Sequence, residues 1–180
     1  ENRLIGTRDF VAGNQSVYED DSHGAMVLST IVGNSPGNLI GTGPKAKVLL
    51  LRSEDIFSEK LIEEANWVVA AEFADSVGAD IATTSLGYTT FDNTADNHVY
   101  ADLNGKTSVA SIAATMAVRK GMFVLNAAGN EGGGSWMFIG VPADADSICT
   151  VGSVNGSGIH SNFSSIGPTS DGRIKPDVST

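Results

Sequence analysis

The sequence predicts an α/β fold of three layers, in which helices cover both sides of a largely parallel β-sheet. Segments typical of buried strands alternate with helical segments along the chain, and this alternation is typical of parallel sheets joined by crossover helices. The chain has 180 residues, enough for a single domain with a substantial core. Its 21 glycines exceed the usual share of about 7%, which indicates many tight turns.

Charge and apolar content argue against two classes of partner. There are 21 acidic and 11 basic residues, a net charge of −10, and such a surface repels phosphate backbones, so no nucleic-acid partner is expected. No apolar run approaches the roughly 20 residues of a membrane span. The one cysteine, Cys149, excludes an intrachain disulfide and lies in a predicted strand, where a structural thiol is expected rather than a nucleophile.

Apolar runs and turn residues locate the elements. Strands are predicted at 46–52, 80–84, 122–127 and 148–154, with a short extended segment at 8–11, a loop at 33–45, and helices at 23–32, 58–76 and 106–120. Apolar stripes on the two longer helices are expected to face the core: Ile62, Ala65, Val69, Phe73 and Val77 on the first, and Val109, Ile112, Ala113, Met116 and Ala117 on the second. Four acidic residues near or on the first of these helices are expected in solvent: Glu59, Glu63, Glu64 and Asp75.

His23 is the first candidate site residue. Asp21 or Ser22 can cap a helix whose first turn carries this histidine, and Gly33 ends the helix. The helix is rich in apolar residues, so we expect it to be buried. An imidazole held at the positive end of a buried helix favours its neutral form, which a general base requires. The alternative is a core histidine with a backbone partner.

Asn130 is the second candidate. The predicted strand at 122–127 breaks into glycine and asparagine, which puts the Asn130 amide just beyond the carboxyl end of the strand. A side-chain amide on a stiff turn suits the stabilisation of a developing oxyanion. Another strand ends at Ser85-Leu86-Gly87 in the same way.

Four stretches in a fixed order carry a resemblance to a known family. They are the histidine-glycine helix start at His23-Gly24, Ser85-Leu86-Gly87, Ala127-Ala128-Gly129-Asn130-Glu131, and Lys175-Pro176-Asp177-Val178. Together they resemble the subtilisin-like serine peptidases, or subtilases, and the resemblance covers nearly the whole chain. It implies the three-layer αβα fold of that family.

Two parts of the family pattern have no counterpart in the sequence. The family orders its triad as Asp, His and Ser, with the Asp in an Asp-Thr-Gly or Asp-Ser-Gly setting and the Ser in a Gly-Thr-Ser setting. We therefore expect residues 1–180 to be an internal segment of a catalytic domain, truncated at both ends, with the Asp strand and the Ser helix outside it. Asp9 is the only tempting substitute for the missing aspartate, although Phe10-Val11 follows it where the family has Thr-Gly or Ser-Gly.

The resemblance implies hydrolysis of peptide bonds through an acyl-enzyme. His23 would be the general base and Asn130 the oxyanion donor, and both are expected to approach one cleft. Ser85, Leu86 and Gly87 would pair with the substrate backbone as an added strand. Ala127, Ala128 and Gly129 would form a wall of a roomy, apolar pocket. The resemblance also implies a polypeptide substrate, a secreted, periplasmic or cell-envelope location, and no activity of residues 1–180 alone.

The connection at 88–105 is long for a loop without a function. Its carboxylates and amides could ligate calcium, but their spacing does not match an EF-hand loop, so no cofactor and no specific calcium site is expected. His98 in this loop is expected at the surface. The sheet is expected to need the rest of its own chain or a second copy for completion, with the strand at 46–52 as one candidate for an unpaired edge.

The sequence leaves two alternative functions to compare with a peptidase. A nucleotide-binding enzyme would need a glycine-rich loop between a strand and a helix, whereas Gly41-Thr42-Gly43 precedes a strand. A catalytically inactive subtilase-fold module that serves as a scaffold or binding partner stays open, because the motifs of the triad Asp and Ser would decide it.

Overall fold

The computed structural model describes residues 3–180 and contains two compact units. One ends at Phe57 and the other comprises Ser58–Thr180. Within the described residues no helix combines the length and apolar character that crossing a membrane requires, and the longest, Ile62–Ser76, has 15 residues.

The first unit contains a parallel strand pair, a helix and a small hairpin. Strand β1 (Leu4–Asp9) pairs with β4 (Val48–Arg52), and between them lie helix α1 (His23–Val32) and the strands β2 (Asn34–Ser35) and β3 (Leu39–Ile40). The two short strands pair antiparallel inside the region predicted as a loop. Their turn contains Gly37 at φ +84°, a left-handed conformation that glycine adopts without strain.

Helix α1 has the predicted bounds but not the predicted burial. It begins at His23 and ends before Gly33, as expected, yet only Val32 is buried and Met26 is 57% exposed. Within this unit the helix packs on β3, a strand of two residues that covers little of its surface. The expectation that α1 is a buried helix is therefore wrong.

Strand β4 pairs in parallel, as the expected parallel sheet requires, but it is only partly covered. Its residues align with β1 so that Thr7 lies opposite Leu50 and Asp9 opposite Arg52. All five residues of β4 are half-buried, whereas a strand covered on both faces would be buried throughout.

The second unit is a parallel sheet with helices against it. Strands β5 (Ile81–Thr84), β6 (Phe123–Ala127), β7 (Cys149–Gly152) and β8 (Val178–Ser179) lie side by side in that order, all parallel. Helix α3 (Val109–Arg119) packs on both β6 and helix α2 (Ile62–Ser76). The predicted α/β class with a mostly parallel sheet is confirmed.

Helix α2 buries a different face from the predicted one. It begins at Ile62 rather than after Ser58, and the predicted stripe residues Ile62 and Val69 are 60% and 47% exposed. Glu63 and Glu64, expected in solvent, are 1% exposed. The buried face carries these two glutamates together with one large aromatic and three small residues: Trp67, Ala70, Ala71 and Ala74.

Helix α3 repeats the pattern. The stripe residues Val109, Ile112 and Met116 are exposed, and the buried face consists of Ala110, Ser111, Ala114, Thr115 and Ala117. Ala117 alone of the predicted stripe is buried. Helices α2 and α3 pack on each other, and small side chains permit such close approach, while Val109, Ile112 and Met116 face outward.

Candidate active site

His23 is the first residue of α1 and its imidazole is accessible. The backbone N–H of His23 donates to Oδ1 of Asp21 at 2.5 Å, so Asp21 caps the helix as predicted. The Ser22 side chain makes no capping hydrogen bond. His23 is exposed. A histidine on a capped helix start has a fixed backbone and a side chain that a substrate can reach.

Asp9, the candidate substitute for the triad aspartate, stabilises the turn that follows it. Its side chain is buried, and Oδ1 accepts hydrogen bonds from the backbone N–H groups of Val11 at 2.7 Å and Ala12 at 2.9 Å. Its Oδ2 lies 3.3 Å from the Arg52 guanidinium, which also pairs with Asp20 at 2.8 Å. These contacts explain the residue without a catalytic role.

Asn130 follows β6 as the sequence predicted. The strand ends at Ala127, the chain turns at Gly129 with φ +111°, and Asn130 is exposed just beyond. Its side-chain amide makes no hydrogen bond with the residues that the structure describes. The amide is therefore open to an incoming group.

The two predicted substrate-binding segments lie at the same edge of the sheet. Because β5 and β6 pair in parallel with Thr84 opposite Asn126, Ser85-Leu86-Gly87 and Ala127-Ala128-Gly129 leave the sheet side by side. Ser85 and Ala127 also line one cavity of about 210 Å³. The structure brings these segments together, while their role in binding stays a prediction.

Asn126 connects these segments and was missed by the sequence analysis. Its Nδ2 donates to the carbonyl oxygens of Leu86 at 3.2 Å and Ala127 at 2.8 Å. The side chain is 1% exposed, and its Oδ1 is buried without a hydrogen-bond partner among residues 3–180. A polar residue inside the apolar run Phe123–Ala127 was the available signal.

Lys175-Pro176-Asp177-Val178 fastens the last strand to the sheet. The Lys175 ammonium is buried and donates to the Ile148 carbonyl at 2.9 Å and to Asp177 Oδ2 at 2.6 Å. The same carboxylate oxygen accepts from the Thr150 backbone N–H at 2.7 Å. In this structure the motif positions β8 against β7.

His98 is a half-buried ion-pair partner rather than the expected surface residue. Its side chain is 9% exposed, and Nε2 lies 2.6 Å from Oε1 of Glu64. The Ser108 hydroxyl donates to Oε2 of the same carboxylate and also caps α3. Burial opposes the charge on each partner, but the contact with Glu64 outweighs it and raises the pKa of His98, and the bonds from His98 and Ser108 lower the pKa of Glu64.

The carboxylates and amides of the 88–105 connection make local turn contacts. Asp92 accepts from the Glu59 N–H, Asn97 from the Phe91 N–H, and Asp102 from the Val99 N–H. Across residues 3–180 no three His, Cys, Asp or Glu side chains are grouped so that they could hold a metal ion.

Comparisons with known proteins show the family. The model of the Subtilase family matches residues 3–180. Subtilisin NAT of Bacillus subtilis subsp. natto is 31% identical over 170 residues, which cover 92% of this chain and 40% of that protein. The major intracellular serine protease of Bacillus subtilis (strain 168) is 28% identical, with 86% of this chain and 46% of that protein covered. The chain thus spans about half the length, or less, of these curated relatives.

Solved structures show the same fold. MycP1 with its N-terminal propeptide removed superimposes with a TM-score of 0.68 at 23% identity, covering 92% of this chain and 59% of that one. The prenylagaramide maturation protease PagA gives a TM-score of 0.66 at 22% identity, covering 94% of this chain and 60% of that one. Because the Subtilase family model matches residues 3–180, the chain belongs to the subtilase family.

Proposed function

We propose that the complete protein is a serine endopeptidase of the subtilisin type, which hydrolyses peptide bonds through an acyl-enzyme. The observation that carries this proposal is the match of the Subtilase family model to residues 3–180. The accessible positions of His23 at a helix start and Asn130 beyond a strand end support it.

His23 is proposed as the general base and acid. It takes the proton from the nucleophilic serine as that serine attacks the substrate carbonyl, and it returns the proton to the leaving amine. In the family an aspartate orients this imidazole. The Asp-Thr-Gly, Asp-Ser-Gly and Gly-Thr-Ser settings of the family's aspartate and serine do not occur in residues 1–180. The proposal therefore concerns the whole protein, and residues 1–180 alone are proposed to be inactive.

Asn130 is proposed as the oxyanion donor. Attack on the carbonyl places negative charge on its oxygen, and a fixed amide N–H stabilises that charge more than it stabilises the neutral carbonyl. The open amide of Asn130 suits this role because no neighbour within the described residues competes for it. That His23 and Asn130 serve one cleft stays a prediction.

The substrate is proposed to be a polypeptide bound in extended form. Ser85-Leu86-Gly87 would add the substrate backbone as a strand, which needs backbone groups and no particular side chain. Ala127-Ala128-Gly129 would line the pocket for the side chain that precedes the scissile bond. Their small side chains favour a roomy, apolar pocket. The Asn126 bonds to Leu86 and Ala127 would hold these two walls at a fixed separation.

The family resemblance is also the basis for proposing where the protein is located and what completes its sheet. A secreted, periplasmic or cell-envelope location follows the family resemblance, although one relative is named an intracellular protease. A need for further parts of its own chain, or for a second copy, to complete the sheet also stays a proposal.

Kinetics of the complete protein test the proposed function. His23→Ala should remove most turnover of a peptide substrate while the protein still melts cooperatively. Asn130→Ala should lower kcat far more than it raises KM; the benchmark from a subtilisin is a loss of about 10²–10³ in kcat. A protein that binds peptides but has no turnover, and no labelling by a fluorophosphonate, would instead support the inactive scaffold module.

A further inference from the structure

Ser165 contacts the residues on both sides of Asn130. Its backbone N–H donates to the Gly129 carbonyl at 3.0 Å, and its Oγ accepts from the Glu131 backbone N–H at 3.0 Å. Ser165 is completely buried, with 0% exposure. One rigidly placed residue thus fixes the backbone immediately before and immediately after Asn130.

Ser165 and Gly129 lie so close together that position 129 has no room for a side chain. A Cβ atom added at Gly129 would lie 2.8 Å from Ser165 Oγ, closer than such atoms approach in proteins. Gly129 also has φ +111°, which side-chain-bearing residues rarely adopt. The absence of a side chain at Gly129 therefore lets the Ser165 hydroxyl reach across to Glu131.

Ser165 is itself held by its own neighbours. The adjacent Ile166 exchanges backbone hydrogen bonds with the 137–139 segment, donating to the Met137 carbonyl at 3.0 Å and accepting from the Ile139 N–H at 2.9 Å. Two residues earlier, the Phe163 carbonyl accepts from the Gly132 N–H at 2.8 Å. Backbone hydrogen bonds therefore hold the 163–166 segment in place beside the Asn130 turn.

We propose that Ser165 is a positioning residue that holds the Asn130 amide in its productive orientation. This inference rests on the proposed role of Asn130 as the oxyanion donor. The Asn130 side chain is exposed and has no partner of its own among the described residues, so its direction depends on the backbone that carries it. Oxyanion donors are effective because they are oriented before the charge develops.

The Ser165 hydroxyl is the part that can be tested. Replacing it by hydrogen leaves the Glu131 N–H without an acceptor, while the backbone bond to Gly129 can persist. The backbone on the Glu131 side of Asn130 then becomes more mobile. A shift of about 1 Å in a group that must meet the transition state can cost up to about 10²-fold in rate.

A double-mutant cycle in the complete protein tests the proposal. We expect Ser165→Ala to lower kcat about 10-fold with little change in KM, since the misplaced donor acts on the transition state. In an Asn130→Ala background the same Ser165→Ala change should lower kcat less than about 2-fold, because no amide remains to be positioned. A purely structural serine would lower kcat equally in both backgrounds.

Ser164→Ala is the matched control. Ser164 is also buried, and its Oγ accepts from the Ser153 backbone N–H at 2.9 Å and donates to the Ser165 carbonyl at 3.5 Å. Unlike the Ser165 hydroxyl, it makes no hydrogen bond with the Asn130 turn among the described residues. The Ser164→Ala variant should lose about as much stability as Ser165→Ala and keep the wild-type kcat. If Ser165→Ala does not fold, Ser165→Cys replaces it, because a thiol is a weaker acceptor at the same position.

The outcomes separate the two proposals. If Asn130→Ala leaves kcat unchanged, the proposed oxyanion role fails whatever Ser165 does. If Asn130→Ala lowers kcat and the change at Ser165 does not, the positioning role of Ser165 is overturned. It is also overturned if Ser164→Ala lowers kcat as much as the change at Ser165.

Discussion

Nε2 of His98 lies 2.6 Å from Oε1 of Glu64, and the two side chains are 9% and 1% exposed. This pair joins the 88–105 connection to helix α2. Asp102 Oδ2 lies 3.8 Å from the other ring nitrogen of His98, and Ser108 donates to the second oxygen of Glu64. The connection that leaves Ser85-Leu86-Gly87 is thereby anchored to the helix layer.

The His98–Glu64 pair should make stability depend on pH. The folded state raises the pKa of His98 above its ordinary 6.5, so its contribution is complete below pH 6.5 and is lost as pH rises through the raised value. The folded state lowers the pKa of Glu64 below 4.5, so its contribution is complete above pH 4.5 and is lost as pH falls further. We expect the greatest contribution between about pH 4.5 and 6.5, measured as the melting temperature across pH.

Two variants isolate the charge of His98. His98→Ala leaves a buried carboxylate without its cation and should cost about 3 kcal/mol near pH 6. His98→Gln keeps a hydrogen-bond donor, costs less, and should remove the decline in stability that the wild type shows above pH 6.5. If the stability of His98→Gln declines above pH 6.5 as much as that of the wild type, the decline belongs to another titrating group.

The ionised carboxylate of Asp144 should lower the stability of the fold, whereas the charged His98 raises it. It is fully buried, and burial raises its pKa above the ordinary 3.8 despite hydrogen bonds from the Ser111 hydroxyl and the Gly105 N–H. A raised pKa favours the protonated folded state, so the ionised carboxylate weakens the fold as pH rises above 3.8.

Asp144→Asn tests this sign. An amide oxygen can accept from Gly105 while the amide N–H₂ donates to Ser111, so both contacts can survive the change. Relative to the wild type, the variant should gain stability between pH 3.8 and neutrality, as judged by urea midpoints. A constant difference across that range would contradict the assignment.

Three of the four strands of the second unit were predictable from the sequence, whereas β8 and the buried helix faces were not. Short segments rich in β-branched and apolar residues, with turn residues on either side, locate β5, β6 and β7. In α2 both faces carry apolar residues, and helical spacing alone favoured the stripe that contains Ile62 and Val69. The buried face instead carries Ala70 and Ala74, whose small side chains permit close packing against neighbouring elements.

The site was predictable only where a local motif carried it. The positions of His23 at a helix start and Asn130 after a strand follow from residues adjacent in sequence. The contact of His98 with Glu64 spans 34 residues, and that of Asn126 with Leu86 spans 40. A single sequence contains no signal for the partner of a polar side chain at that separation.

Opposite responses at two neighbouring positions of α2 test the corrected helix face. Val69 is 47% exposed, so Val69→Gln should change the free energy of unfolding by less than about 0.5 kcal/mol. Ala70 is 8% exposed, so Ala70→Leu should overpack the contact and cost about 1–3 kcal/mol. The stripe predicted from sequence would give the reverse order, and chemical denaturation distinguishes the two.

Asn126 should tolerate loss of its side chain better than exchange of its amide for a carboxylate. Its N–H₂ group faces two carbonyl oxygens, those of Leu86 and Ala127, and its own Oδ1 has no partner among the described residues. Asn126→Ala removes two hydrogen bonds together with one unsatisfied oxygen and should cost about 1–2 kcal/mol. Asn126→Asp puts a buried anion against two carbonyl oxygens and should cost several-fold more at pH 7.

The difference between these two variants should close in acid, because a protonated aspartic acid can donate one hydrogen bond to either carbonyl. Urea titrations of Asn126→Ala and Asn126→Asp at pH 7 and pH 4 provide the measurement. Equal costs at pH 7 would mean that the side chain at 126 does not face the carbonyls of Leu86 and Ala127. In the complete protein Asn126→Ala should also raise KM for a peptide, since the two proposed walls of the substrate pocket lose their link.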